Sequence, residues 1–461
     1  MSIIAGFVLP HPPIIVPEVG RGQEEGAKAT IAAYEAAGKM IADLKPEVLI
    51  VSSPHAECYR DYFHISPGDH ATGDFEQFGA KEVKFHVNYD VELRELICKR
   101  ATEKHIPAGT LGEKSHSLDY GTMVPLYFIR KYLPECPIVR IGLSGLPNYV
   151  NYELGIIIKE TCDTLGRKAV YIASGDLSHK LKTDGPYGYD KKGPVFDKEV
   201  TEDLGNGDFL SLFGFDEGML EEAAECGLGS FQIMAGAFDG EKITAKLMSY
   251  EGPFGVGYGV CSFFPVGKDE HRKYLSLIIS TKKKKIEDIR KSEDTYVKLA
   301  RETIENYVRS GKRIILPAGA EKELLETKAG VFVSLKMNGR LRGCIGTIMP
   351  VHKSVGEEII SNAISAFSQD PRFDPVSEDE LDSIVYDVDV LSPTEPIKSE
   401  KELDPKIYGV VVESGYKRGV LLPDLDGVDS ALQQIQIAEQ KAGIKDGEKI
   451  KLYRFKVKRH L

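Results

Sequence analysis

Residues 3–13 read Ile3–Ile4–Ala5–Gly6–Phe7–Val8–Leu9 and then Pro10–His11–Pro12–Pro13. An apolar run of strand length that breaks at once into a Pro-marked turn predicts a strand with a histidine just beyond its end. The same pattern returns at Val48–Ser53, which runs into Pro54–His55. Between the two, Glu24–Leu44 predicts a helix, with Ile31, Tyr34, Met40, Ile41 and Leu44 among charges, and Pro46 breaks it before the second strand. Working outward, Val91–Lys104 predicts a helix capped by Asp90, and Ala169–Ala173 a short buried strand that ends in the Gly175–Asp176 turn. Gly255–Phe264 predicts a Gly-rich final strand. Strands alternating with helices give an α/β layered domain over residues 1–267, in which ligand sites lie beyond the strand ends.

With 461 residues the chain exceeds one ordinary core and divides best into two domains. Residues 268–292 are charge-dense, including Lys282–Lys285, and predict a solvated linker or helix face rather than a phosphate site. Residues 293–461 change character. Glu293–Arg309 predicts an amphipathic helix, and Val331–Met337 alternates before the hairpin signal Asn338–Gly339 and the run Arg340–Ile345. Ser354–Val355–Gly356–Glu357 predicts a capping box that opens a helix carrying Ile359, Ile360, Ala363, Ile364 and Phe367. The short strands Ile384–Leu391 and Gly409–Glu413 make this half α+β.

The formal net charge of -11 argues against general nucleic-acid binding. Seven cysteines without CxxC spacing fit reduced cytosolic thiols better than a disulfide framework. The apolar start at Ile3–Val8 has no basic segment before it and is too short to span a bilayer, so a cytoplasmic protein with no membrane partner is expected.

His11 and His55 at two strand ends can share a metal. A carboxylate in Glu225–Cys226–Gly227 and a histidine in Ser174–Gly175–Asp176–Leu177–Ser178–His179 would add a third ligand and an acid/base. Two neutral imidazoles and one carboxylate leave open positions on Fe(II), and zinc can use the same three ligands with a water; spacing does not choose between them. His64, His70, His86 and His105 stand in polar stretches and are expected on the surface.

The segments Gly6–Pro13, Val51–His55, Leu118–Leu126 and Ser174–His179 resemble the class III extradiol ring-cleavage dioxygenases, the LigB-like fold that also includes the Memo proteins. The resemblance covers roughly the first 265 residues. It implies Fe(II), with Zn or Cu as alternatives, held by His11, His55 and Glu225, and His179 as the acid/base, with Asp176 placed to orient it. It further implies a small catecholic or enolised diol substrate cleaved with dioxygen. Ring-cleaving relatives carry a histidine where Tyr120 stands, so the resemblance implies that this donor is either missing or supplied by His116. Memo-like relatives place a cysteine near Cys226; Glu225 is preferred over it as third ligand. The alternatives are a Memo-like metal-binding, redox or assembly protein without ring cleavage, and metal-dependent hydrolytic C–C cleavage in which His179 is a general base.

In the second half, Leu341–Arg342–Gly343–Cys344–Ile345–Gly346–Thr347 and Ser365–Ala366–Phe367–Ser368–Gln369–Asp370–Pro371–Arg372–Phe373 resemble the AMMECR-type domain. A structural or partner-binding role is expected there, with ion pairs Arg342–Asp370 or Arg372–Asp374 fixing the fold around Cys344. The whole chain resembles the two-domain fusions of the AmmeMemoRadiSam systems. That implies a separate radical S-adenosylmethionine partner protein, because this chain lacks the closely spaced cysteines such a protein needs. An oligomer is compatible with the sequence.

Overall fold

The computed structural model describes residues 2–461 except Lys114, Ser115, Asn338, Asp426 and Asp446. They form two compact units, Met1–Ser280 and Thr281–Leu461.

The first unit is built on a six-stranded sheet of β1 (Ile3–Leu9), β2 (Val48–Ser53), β3 (Ile138–Gly142), β4 (Ala169–Ser174), β5 (Glu241–Glu251) and β6 (Tyr258–Lys268), in the order β3-β2-β4-β1-β6-β5. The first four strands in that order run parallel. The last two join antiparallel, with Gly6 opposite Phe263 and Phe7 opposite Ser262. Every residue of β2, β3 and β4 is buried, which is why these runs are mostly apolar instead of alternating, with Arg140 the buried charge in β3 and serines at the ends of β2 and β4.

Successive residues serve opposite layers. Val48 and Ile50 of β2, with Tyr171 of β4, pack beneath helices Val91–Glu103, Asn148–Leu165 and Leu228–Ala237 through Leu93, Ile157 and Phe231. Leu49, Val51 and Ile172 face helices Lys28–Leu44 and Tyr120–Ile129 through Ala37, Ile41 and Val124. The α/β layered expectation therefore holds.

Asp90 caps helix Val91–Glu103 by accepting from the Leu93 amide at 3.0 Å. The first part of the expected helix Glu24–Leu44 is a 3-10 turn, Gln23–Ala27, ahead of the α-helix. The charge-dense stretch contains the helix Leu275–Ser292.

The second unit has two four-stranded antiparallel sheets. One holds Arg340–Gly346, Val331–Met337, Ile384–Leu391 and Val457–His460, the other Glu395–Ile397, Lys451–Phe455, Gly409–Ser414 and Lys417–Leu421. Helices Thr295–Ser310 and Val355–Ser368 cover the first, and Ala431–Ala442 the second, an α+β arrangement. Met337 pairs with Arg340 across the expected hairpin, whose Asn338 lies outside the described residues. Only half of the expected capping box forms. Ser354 Oγ accepts from the Glu357 amide at 3.4 Å, while the Glu357 carboxylate takes the Lys353 amide at 3.3 Å rather than that of Ser354.

A buried contact links helix Lys28–Leu44 to the turn that carries His11. The Tyr34 hydroxyl, fully buried on helix Lys28–Leu44, donates to the Pro10 carbonyl. Tyr34→Phe leaves that buried carbonyl without its donor, at an expected cost of about 1–3 kcal/mol, read as a lowered urea midpoint for the first unit.

Candidate metal centre

Because β2, β4 and β1 are parallel neighbours, their C-terminal ends lie side by side, and the loops leaving them carry His55, Ser174–His179 and His11. The Nε2 atoms of His11 and His55 stand 3.0 Å apart, with the rings nearly perpendicular. Cys226 Sγ lies 3.6 Å from His11 Nε2. These three donor atoms fall within 4.8 Å of one another.

The tautomer of His11 is fixed by a relay. Ser174 Oγ donates to the Gly121 carbonyl at 2.5 Å, so at 2.9 Å from His11 Nδ1 it accepts a hydrogen bond from the Nδ1–H of that ring. His11 Nε2 is left with a lone pair aimed at His55 and Cys226. Burial holds the imidazoles neutral, lowering His11 to about 3 and His55 to about 4, with the charge of His11 adding to the shift at His55. Burial also pushes the Cys226 thiol well up, with the negative charges of Asp176 and Glu225 in the same direction. Two ready imidazoles and one thiol form a donor set that suits zinc, copper or iron, so the residues present fit a metal ion.

The fourth loop reaches the site through two glycines. A Cβ on Gly175 would stand 2.1 Å from Gly227 Cα, so only glycine lets the Ser174–His179 loop close on the turn carrying Cys226. Asp176 is buried, and its Oδ1 accepts from the His11 amide at 2.7 Å. Burial raises its carboxyl to about 6. Asp176 thus braces His11, whereas the expected role was to orient His179.

His179 is oriented instead by the segment before Cys226. Its amide donates to the Ala223 carbonyl at 3.1 Å, and its Nδ1 to that of Ala224 at 2.6 Å, which leaves Nε2 as a proton acceptor. Ala224 adopts a left-handed backbone, φ 52°, to end helix Glu217–Ala223. A non-glycine residue held there indicates that the surrounding contacts over-determine this turn.

Two expectations change. Glu225 is not part of the donor cluster among the described residues; its Oε2 accepts from the Leu228 amide at 2.7 Å, at the start of helix Leu228–Ala237. The unpaired amides and positive dipole end of that helix draw the carboxylate away, and Cys226 faces the histidines. His116 is 87% exposed and faces Glu113 at 3.2 Å. Tyr120 itself stands beside His55, with its hydroxyl 2.8 Å from Nε2 and its ring stacked at 4.1 Å. Burial pushes the Tyr120 phenol up.

Of the histidines expected on the surface, His70, His86 and His105 are exposed but His64 is fully buried, in a two-residue strand paired with Ala108–Gly109. A cleft of about 1140 Å³ opens beside the centre, lined by His55, Tyr120, Asp119, Phe85, Met123 and Arg140 among others.

Residues 5–261 match the family described as the catalytic LigB subunit of aromatic ring-opening dioxygenase, and residues 297–460 match AMMECR1. The chain belongs to the LigB family, with an AMMECR1 domain after it. A Clostridium acetobutylicum protein of this build is 42% identical, covering 100% of this chain and 99% of its own. A 2-aminophenol 1,6-dioxygenase beta subunit from Pseudomonas sp is 29% identical over 56% of this chain and 93% of its own. A solved structure of an uncharacterized Pyrococcus horikoshii protein is 33% identical, covering 36% of this chain and 88% of its own, with a TM-score of 0.33.

Within the AMMECR1 domain, Cys344 is enclosed by a polar frame. Its amide donates to Asp370 at 2.9 Å, and Ser334 Oγ donates to its sulfur at 3.2 Å. Arg372 grips Asp370 at 2.9 and 2.7 Å, and Arg342 grips Glu380 at 2.7 and 2.9 Å. The expected pairs Arg342–Asp370 and Arg372–Asp374 are thus replaced; at Asp374 it is the backbone carbonyl that takes a hydrogen bond, from Arg342 at 2.9 Å. Burial pushes the Cys344 thiol up, away from a free nucleophile.

The glycine contact can be tested directly. Gly175→Ala forces the two loops apart, with an expected loss of about 1–3 kcal/mol in urea unfolding. Unchanged stability would mean that the loops do not meet as described.

Proposed function

We propose that the LigB domain is a mononuclear non-haem iron oxidoreductase acting on a small catecholic or enolised diol with dioxygen, with His11, His55 and Cys226 as metal ligands. The observation that carries this reading is the 3.0 Å approach of two imidazole nitrogens, one of them left unprotonated because Ser174 holds the other nitrogen of its ring as a donor. The family match and the relative named as a 2-aminophenol 1,6-dioxygenase beta subunit support the reaction class. Bound Fe(II) supplies Lewis acidity toward adjacent substrate oxygens and electrons for dioxygen chemistry.

The protein's own groups do the rest. His179 Nε2, kept as an acceptor by the Ala224 carbonyl, takes a proton from a substrate hydroxyl and returns one to the product. Asp176 holds the His11 backbone, and Phe85 and Met123 give the cleft an apolar wall for an aromatic ring. Cys226 in place of a carboxylate favours a second reading, a Memo-like redox or metal-binding centre without ring cleavage. Metal-dependent hydrolysis would use the same His179 as base. A radical S-adenosylmethionine protein remains the proposed partner of the fusion.

Oxygen uptake by anaerobically iron-loaded protein across a catechol panel separates these readings. A yellow ring-fission product is expected; iron or copper without turnover supports the second reading, and oxygen-independent cleavage the third. His179→Ala is expected to keep the metal and lose at least about 100-fold in rate. Loss of metal from this variant would remove His179 from the acid/base role. Cys226→Ser is expected to lower bound metal well below wild type and Glu225→Gln to retain it; the reverse result would restore Glu225 as the third ligand.

A further inference from the structure

Tyr120 is the residue whose position the proposed chemistry does not use. Its hydroxyl sits 2.8 Å from His55 Nε2, the same nitrogen that lies 3.0 Å from His11 Nε2. Donors bound to one ion at about 2.0–2.1 Å stand about 3 Å apart when their bonds meet near a right angle, and an oxygen obeys the same geometry as a nitrogen. The His11–Cys226 separation of 3.6 Å suits a longer metal–sulfur bond and a wider angle. These three spacings, His11–His55, His11–Cys226 and His55–Tyr120, match those of ligands around one ion.

We infer that the phenol oxygen of Tyr120 is a fourth protein ligand of the ion held by His11, His55 and Cys226.

Three features support it. First, the Tyr120 hydroxyl lies 2.8 Å from His55 Nε2, within reach of an ion bound to that nitrogen. Second, the residue is held in place. Asp119 caps helix Tyr120–Ile129 by accepting from the Thr122 amide at 2.9 Å, and is itself gripped by Ser53 Oγ at 2.5 Å and Thr122 Oγ1 at 2.8 Å. The ring is clamped between the face of His55 at 4.1 Å and the edge of Phe78 at 5.5 Å. Third, a phenolate is a hard oxygen donor, which complements ferric iron.

On ligation the O–H bond breaks, the proton leaves to bulk water and an oxygen–metal bond forms, with no change in electron count. Four protein ligands leave fewer open positions than the three of a facial triad.

This inference rests on the metal reading above, and the test keeps the two apart. The full-length chain is loaded with Fe(II) without oxygen, oxidised with stoichiometric ferricyanide, and studied by metal analysis and resonance Raman. Protein made with ring-deuterated tyrosine is compared with unlabelled protein. The expected result is a set of tyrosinate modes that shift on deuteration, disappear in Tyr120→Phe at wild-type iron content, and stay unchanged in Tyr187→Phe. Tyr187, edge-on to His179 at 5.0 Å, is the control for another nearby tyrosine.

If Tyr120→Phe does not fold, the deuterium shift together with unchanged modes in Tyr187→Phe carries the assignment. Iron retained by the wild type without deuterium-sensitive modes, or modes that persist in Tyr120→Phe, overturns the ligation and leaves the metal reading standing. Failure of the wild type to retain iron overturns both.

Discussion

The parallel alignment of β2, β4 and β1 is the constraint on which the centre depends. Three neighbouring strands ending at the same edge deliver His55, the Ser174–His179 loop and His11 to one place, although His55 lies 44 residues and Ser174 163 residues from His11 in the chain. The register makes this close: Leu9 pairs with Ser174 and Ser52 with Ala173, so the strands on either side of β4 end almost level with it. Their largely apolar, doubly buried sequences leave each strand little freedom to slip, because a one-residue shift would exchange the two packed faces.

Burial then sets the electrostatics. Imidazoles removed from water resist protonation, and the Ser174 hydroxyl, spending its own proton on the Gly121 carbonyl, decides which nitrogen of His11 is free. The same economy operates at His179, where a backbone carbonyl takes the Nδ1 proton. In both cases the decisive partner is a neutral group in the loop or helix start packed beside the ring. The charged Asp176 works on the backbone of His11.

That Cys226 and not Glu225 faces the histidines follows from helix physics. Adjacent in sequence, the two side chains diverge because helix Leu228–Ala237 begins immediately after them and its free amides attract the carboxylate. The AMMECR1 domain shows the same preference for frame over chemistry around Cys344: two arginine–carboxylate pairs and a serine surround a thiol that burial keeps protonated.

Much of this was legible in the chain itself. Apolar runs that stop at Pro10–His11 and Pro54–His55, and a third that stops at Gly175–Asp176, announced buried strands with polar residues at their ends, because hydrophobic period and turn chemistry are local properties. The α/β and α+β halves followed from the same patterns. Local pattern did not show which neighbouring side chain turns inward: Cys226 over Glu225, Tyr120 over His116, Glu380 over Asp370 as the partner of Arg342. Nor did it show that His64, in a polar stretch, is enclosed between packed elements. Those choices depend on competing partners brought from distant parts of the sequence, such as a helix start, a stacked ring or a second carboxylate. They are fixed only when the fold places those partners within a few ångströms.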